Sequence, residues 1–203
     1  MYTEMLTDTQ LQVLCRKMEI PLAGIYFKDE LPRKMEVGKA YIINIQDSTD
    51  DDGKANSGTH WTCMYSTKYV NGHIEPIYFD SYGQPPPEDV KQFVRNSINK
   101  YLPFTTKDVQ SLMSDVCGWY CCAFLYAVTH PRMKSGDLYL DVDNFLALFD
   151  DLTTSHDFKK NEYMLKHFFR SSDETKRHPI DIDIKHQEDD PNVMKIPVDM
   201  RSL

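Results

Sequence analysis

The sequence predicts a globular domain that combines α-helices with β-strands, followed by a tail of different composition. Two runs rich in β-forming residues, 59–67 and 74–82, are separated by an Asn-Gly pair, which is a strong hairpin signal. Residues 117–128 are apolar almost all round, as expected of a helix buried at the centre of a domain. From residue 171 the chain has eight acidic residues, three prolines and few large apolar ones. We therefore expect a domain over residues 1–170 and a tail or docking segment over residues 171–203.

The first part of the domain alternates predicted elements with loops. Apolar residues at helical spacing predict a first helix, which Thr7 or Asp8 can cap. Its expected buried face comprises Leu11, Leu14, Cys15 and Met18. Residues 20–32 are predicted to be irregular, 39–45 to form a buried strand, and 46–58 to form an exposed acidic loop.

The second half of the domain is predicted to be mainly helical. One helix should start at Pro87 and end before Pro103. Its expected inner face comprises Val90, Phe93, Ser97 and Tyr101. Residues 141–153 and 160–170 predict two closing helices, and the alternating "PIDIDI" of the tail could add an edge strand to a sheet.

Charge and cysteine content narrow the class of protein. No apolar stretch reaches 18 residues, so no transmembrane helix is expected, and the N-terminus lacks the pattern of a secretory signal. The lack of a secretory signal implies that the protein matures in a reducing compartment. The five cysteines are therefore expected to be free thiols. The net charge is −8, and Lys/Arg runs are short, so a strong nucleic-acid footprint is not expected.

Three cysteines, Cys117, Cys121 and Cys122, fall within six residues. Their C-x₃-C-C spacing, without a second ligand pair, argues against structural zinc. Cys117 stands at the start of the predicted buried helix, after Ser114 or Asp115 as a cap, where the helix dipole favours a thiolate. The other two lie one turn deeper and are expected to be inert core residues. The sequence leaves open whether Cys117 is the reactive thiol or whether all three fill the core.

A reactive cysteine requires a base, a group that orients the base, and donors for an oxyanion. His60 begins the first hairpin strand and Asp80 ends the second, so an antiparallel pairing would bring them to the same end. Gln110, seven residues before Cys117, is a candidate oxyanion donor. The alternatives are a surface histidine, an aspartate that caps the turn, and a surface glutamine.

These motifs, in this order, resemble those of adenain, the adenovirus-type maturation protease, and of related proteases in virophages and Maverick/Polinton-type elements. The likeness lies in "GTHW" at 58–61, "YFDSYG" at 78–83 and "VQSLMSDVCGWYCCAFLYA" at 109–127, and it covers roughly residues 5–170. The resemblance implies that Cys117 is the nucleophile and His60 the general base and acid. It further implies that Asp80 orients His60, and that Gln110 and the Cys117 N–H form the oxyanion hole.

The resemblance also implies an α+β, papain-like fold in which the cysteine helix is buried against a central mixed sheet. The implied activity is that of a cysteine endopeptidase that cleaves viral capsid or core precursors after Gly-containing motifs, in the virion or the infected cell. Trp61, Gly118 and Trp119 are the expected substrate-binding residues, and no metal, cofactor or membrane partner is expected.

Two other functions stay open at this point. One is a protease that removes SUMO or another ubiquitin-like protein, and the other is an inactive protease fold that serves capsid assembly. Adenain is basic and is stimulated by DNA and by a short peptide. The acidic charge of this chain argues against DNA activation. Whether a peptide is needed stays open, and the tail could replace one by β-addition.

Overall fold

The computed structural model describes residues 5–152 and 157–171, which form an α+β fold around a mixed four-stranded sheet. The strands are β1 (Leu22–Phe27), β2 (Ala40–Asn44), β3 (Trp61–Lys68) and β4 (Ile74–Phe79). The helices are α1 (Asp8–Lys17), α2 (Glu88–Ile98), α3 (Cys117–Thr129), α4 (Leu138–Leu146) and α5 (Asp157–Ser171). The sheet order is β1-β2-β3-β4, with β1 parallel to β2 and the other neighbours antiparallel.

Helix α1 begins with a complete capping box. The Thr7 side chain accepts a hydrogen bond from the Gln10 N–H, and the Gln10 side chain accepts one from the Thr7 N–H. Each bond satisfies a donor that the helix cannot pair internally. The predicted inner face of α1 is confirmed, because all four of its residues are buried.

The prediction that residues 20–32 are irregular is wrong. This segment contains β1, which pairs in parallel with β2, and a 3-10 helix over Lys28–Glu30. Every residue of β1 is half-buried, so the strand lacks the alternation of a strand with one wet face. Its pairing depends on β2, which follows it by more than a dozen residues, and local sequence does not signal that partner.

The hairpin is confirmed, with β3 and β4 joined through Asn71 and Gly72. Gly72 has a φ of 84°, in the left-handed region that glycine adopts at low cost. The register pairs Cys63 with Phe79 and Tyr65 with Ile77.

Helix α2 covers one face of the sheet and ends earlier than predicted. Val90, Phe93 and Val94 pack there with Tyr41 and Tyr78. Asn99 has a φ of 52° and terminates the helix at Ile98. Tyr101 therefore lies beyond the helix and is 88% exposed, so its predicted place on the inner face is wrong.

Helix α3 occupies the centre of the other face, and all thirteen of its residues are buried, as predicted. Phe124 of α3 stacks on Phe79 of β4, with ring centroids 4.5 Å apart. The predicted caps Ser114 and Asp115 are wrong, because Val116 takes the N-cap position. The predicted end at His130 is correct.

Helices α1, α4 and α5 complete this second layer around α3. Helix α4 begins three residues before its predicted start, because the Asp137 side chain caps it. None of the helices in the described ranges is long and apolar enough to cross a membrane. The predictions for the tail, including its edge strand, lie outside the described residues.

A tight turn after β4 packs against the loop that precedes α3. The Gly83 N–H donates to the Asp80 carbonyl at 2.9 Å, and Gly83 has a φ of 65°. A Cβ at Gly83 would lie 2.5 Å from the Thr106 carbonyl oxygen. Glycine therefore meets two requirements here, a left-handed backbone and the close passage of a neighbouring segment.

We expect Gly83→Ala to destabilise the fold more than Gly53→Ala. Both glycines have positive φ, but a Cβ at Gly53 would meet open space among the described residues. Left-handed strain alone costs about 1–2 kcal/mol, and the contact with Thr106 should add at least about 1 kcal/mol. Urea unfolding of both variants measures the difference, and equal losses would contradict a steric role for Gly83.

Candidate active site

His60 and Asp80 meet at one end of the hairpin, as their positions in the sequence predicted. Nε2 of His60 lies 2.8 Å from Oδ1 of Asp80, and both side chains are buried. His60 immediately precedes β3 and Asp80 immediately follows β4. The antiparallel register therefore determines the distance between these two side chains.

The Asp80 carboxylate has two partners on one oxygen. Oδ1 faces His60 Nε2 and also accepts a hydrogen bond from the Tyr82 N–H at 2.8 Å. The two alternatives that the sequence left open for Asp80 therefore both occur, because the residue shapes the turn and contacts the imidazole. The backbone N–H of Tyr82 therefore helps to orient the Asp80 carboxylate toward His60.

Cys117 is the first residue of α3 and is buried beside the imidazole. Its Sγ accepts a hydrogen bond from the Trp61 N–H at 3.4 Å, and the thiol lies close enough to the His60 side chain to raise the pKa of the imidazole. Since Nε2 faces Asp80, Nδ1 is the ring nitrogen left for the thiol. The three side chains thus form a chain from sulfur through imidazole to carboxylate, at the positive end of a buried helix.

The surroundings of His60 favour its protonated form. Burial lowers the pKa of the imidazole, but the hydrogen bonds and charges of Asp80 and Cys117 outweigh burial and raise this pKa to about 9. A protonated His60 at neutral pH places a positive charge beside the Cys117 sulfur.

Gln110 is fully enclosed, which excludes the alternative of a surface glutamine. Its Oε1 accepts a hydrogen bond from Ser81 Oγ at 2.7 Å. Its Nε2 donates to the Ser114 carbonyl and, at 3.3 Å, to the Tyr82 hydroxyl. The amide is thus held between the turn after β4 and the loop before α3, with its N–H groups toward Tyr82 and Ser114.

The loop that carries Gln110 is anchored at Val109. The Val109 N–H donates to the Ser81 carbonyl at 2.9 Å. The Val109 carbonyl accepts from the Tyr120 hydroxyl at 3.0 Å and from Asn161 Nδ2 at 3.2 Å. Helices α3 and α5 therefore both fix the backbone next to Gln110.

Sequence reasoning missed Ser81, Tyr82 and Asn161 as neighbours of the site. Tyr82 could have been found, because extending the β3–β4 register places it opposite His60. The two rings stack, with centroids 4.5 Å apart and planes at 22°. Asn161 gives no local signal, because its role depends on α5 packing beside the loop.

The expectation that Trp61, Gly118 and Trp119 contact the substrate does not match their surroundings. Trp61 is buried and its Nε1 donates to the Leu6 carbonyl at 2.8 Å. Trp119 is buried edge-on to Phe169 of α5. Both tryptophans are core residues because their rings are large enough to fill the space between α3 and its neighbours.

Gly118 permits a close approach of a different kind from the one expected. A Cβ at Gly118 would lie 3.1 Å from Leu11 and 3.3 Å from Leu6. The lack of a side chain thus accommodates the N-terminal segment of the domain.

The other four cysteines are free, fully buried thiols. Burial raises the pKa of Cys63, and it raises the pKa values of Cys121 and Cys122 well above the ordinary range. Cys122 Sγ lies 3.9 Å from the sulfur of Cys15, on α1. Within residues 5–152 and 157–171, no three His, Cys, Asp or Glu side chains are grouped so that they could hold a metal.

We expect iodoacetamide near neutral pH to modify Cys117 ahead of the other four thiols, because Cys117 lies beside a protonated imidazole and at the start of a helix. Peptide mass spectrometry after brief exposure measures the site of modification. Cys117→Ser should leave the folded protein almost unlabelled. Labelling of Cys121 or Cys122 at a similar rate would contradict the distinction between one reactive thiol and a set of core thiols.

Comparison of the chain with protein-family models gives no match, and comparison with the curated proteins gives none either. The functional assignment therefore rests on the motifs in the sequence and on the geometry of His60, Asp80, Gln110 and Cys117. His60 and Asp80 lie at the same end of the β3–β4 hairpin, Gln110 lies on a loop, and Cys117 begins α3. The contacts of His60 with Asp80 and Cys117, and of Gln110 with Tyr82, connect these four residues.

Proposed function

We propose that this protein is a cysteine endopeptidase. The observation that carries the proposal is the buried chain of contacts from Cys117 through His60 to Asp80, with the 2.8 Å His60–Asp80 bond. A carboxylate holds the imidazole in one orientation, and the imidazole favours the thiolate, which is the nucleophilic form of cysteine. A structural core cysteine has no need of such partners.

The proposed reaction begins when the Cys117 thiolate attacks the carbonyl carbon of a peptide bond. A C–S bond forms and the carbonyl electrons move to the oxygen. The tetrahedral intermediate collapses as the C–N bond breaks, and His60 gives its proton to the leaving amine. Neutral His60 then takes a proton from water, whose oxygen attacks the thioester, and release of the acid restores the thiolate and the imidazolium.

Two donors are available for the oxyanion in this scheme. The Cys117 N–H belongs to the first turn of α3, where N–H groups lack a carbonyl partner within the helix. Gln110 supplies an amide N–H from the neighbouring loop. One backbone donor and one side-chain amide are a common combination for acyl transfer.

The biological role follows from the resemblance to adenain. We propose an adenain-like, papain-like protease that matures viral capsid or core precursors in the virion or infected cell by cutting after Gly-containing motifs. The mixed sheet with α3 buried on it is compatible with that fold. The seven-residue interval between Gln110 and Cys117 and the paired cysteines after it are the most specific part of the likeness.

Cys117→Ala should abolish cleavage of Gly-containing peptides and of a recombinant capsid precursor, with a loss of at least about 10³-fold, because no thioester can form. Cys121→Ala and Cys122→Ala are matched controls on the same helix and should keep activity within about tenfold. Cleavage by Cys117→Ala would overturn the proposal. Cleavage of SUMO or ubiquitin reporters alone would redirect it to a deconjugating protease.

The pH profile of kcat/KM should fall on its alkaline side near pH 9. The raised pKa of His60 means that the proton is kept up to about that pH and lost above it, and the leaving amine needs that proton. Asp80→Asn removes a carboxylate that raises this pKa, so the alkaline limb should move to lower pH. Rates measured from pH 6 to 10 test this, and an unchanged limb in Asp80→Asn would contradict the role of Asp80.

A further inference from the structure

Tyr82 touches three of the four proposed catalytic groups, although the scheme above assigns it no role. Its N–H binds Asp80, its ring stacks on His60, and its hydroxyl accepts a hydrogen bond from Gln110 Nε2. If Tyr82 served only to pack its ring against His60, its hydroxyl would not need to accept a hydrogen bond from the buried Gln110 amide.

The Gln110 amide is constrained at both ends. Because Ser81 donates to Oε1, Nε2 is the end that faces Tyr82 and Ser114. An amide nitrogen carries two hydrogens, and these two partners account for both of them. One of the two hydrogens must turn to the oxyanion when Gln110 acts as an oxyanion donor.

Of the two hydrogen bonds that Gln110 Nε2 donates, the one to the Tyr82 hydroxyl is better suited to be replaced by a bond to the oxyanion. At 3.3 Å it is longer than the other side-chain bonds of Gln110, and Tyr82 is only partly buried, whereas the Ser114 carbonyl belongs to the loop that leads into α3. A developing oxyanion is a stronger acceptor than a neutral hydroxyl and would take this hydrogen at little cost.

We propose that the Tyr82 hydroxyl is a positioning group that keeps one N–H of Gln110 directed at the oxyanion site and yields it to the substrate oxygen during reaction. This inference rests on the proposed function and adds a residue to it. The hydroxyl stays neutral throughout, since burial and the charges of Cys117 and Asp80 raise the pKa of Tyr82 to about 12. No proton is transferred in this step, and only hydrogen-bond partners change.

The test is a double-mutant cycle with Tyr82→Phe and Gln110→Ala. The change Tyr82→Phe removes the hydroxyl but keeps the ring on His60. Losing an oxyanion donor costs about 10²–10³ in kcat, and losing only its alignment should cost about tenfold. We expect Tyr82→Phe to lower kcat about tenfold with KM within twofold. In the Gln110→Ala background the same change should alter kcat by less than twofold, because the two groups act as one unit.

Two controls separate this role from others. Tyr101→Phe removes a hydroxyl from an exposed tyrosine and should change nothing. Iodoacetamide should modify Cys117 at the same rate in Tyr82→Phe as in the wild type, since the Tyr82 hydroxyl is hydrogen-bonded to Gln110 and makes no hydrogen bond to the thiol among the described residues.

Equal losses of kcat in both backgrounds, or slower alkylation of Cys117, would overturn the assignment to Gln110. Full kcat in Tyr82→Phe would also overturn it while leaving the protease proposal intact. A wild-type protein no more active than Cys117→Ala would instead remove the proposed function itself.

Discussion

The burial of α3 on every side is the constraint on which the rest of the structure depends. A helix without a polar face cannot lie at a surface, so the sheet, α1, α4 and α5 must all pack around it. Complete burial also fixes the helix in translation and rotation, because interior packing leaves few voids for it to move into. The first residue of α3, Cys117, is therefore held as firmly as the core, although it lies at the end of the helix. A nucleophile benefits from such rigidity, because small displacements of the reacting atom are costly.

The pairing of β3 with β4 determines where His60 and Asp80 lie relative to each other. Antiparallel strands bring residues far apart in sequence to one end of a hairpin, and here that end faces the N-terminus of α3. The Trp61 N–H, just past the end of the ladder to β4, donates to the Cys117 sulfur. Sheet and helix thus meet through a backbone hydrogen bond at the sulfur. Side-chain packing alone does not specify an orientation so sharply.

Local sequence predicted the elements whose structure is determined by residues close together in the chain. The apolar run of α3, the Asn-Gly turn of the hairpin and the capping signal of α1 each have a physical cause within a few residues. His60 and Asp80 could be placed together because a hairpin is a short-range structure.

By contrast, β1 and Tyr101 were not predicted correctly. Strand β1 has a half-buried pattern and depends on a partner strand, and Tyr101 continues the helical spacing of apolar residues past the residue that ends α2. The resemblance led us to expect that the tryptophans beside the site bind substrate, and a pattern of apolar residues does not say which of them the core encloses. Gln110 was found through its interval to Cys117, but its partners Ser81 and Tyr82 required the fold.

The contact of Gly118 with Leu6 and Leu11 bears on the order in which the molecule becomes complete. These residues join the beginning of the described chain to a helix more than a hundred residues later, so they form one of its longest-range contacts. Contacts of this kind carry a large loop-closure entropy and tend to form after local structure. During synthesis, the N-terminal helix must wait for most of the domain before its apolar face finds α3. The neighbourhood of the proposed nucleophile is thus expected to be among the last parts to close, and a chain still in production lacks the contacts that surround Cys117 in the folded domain.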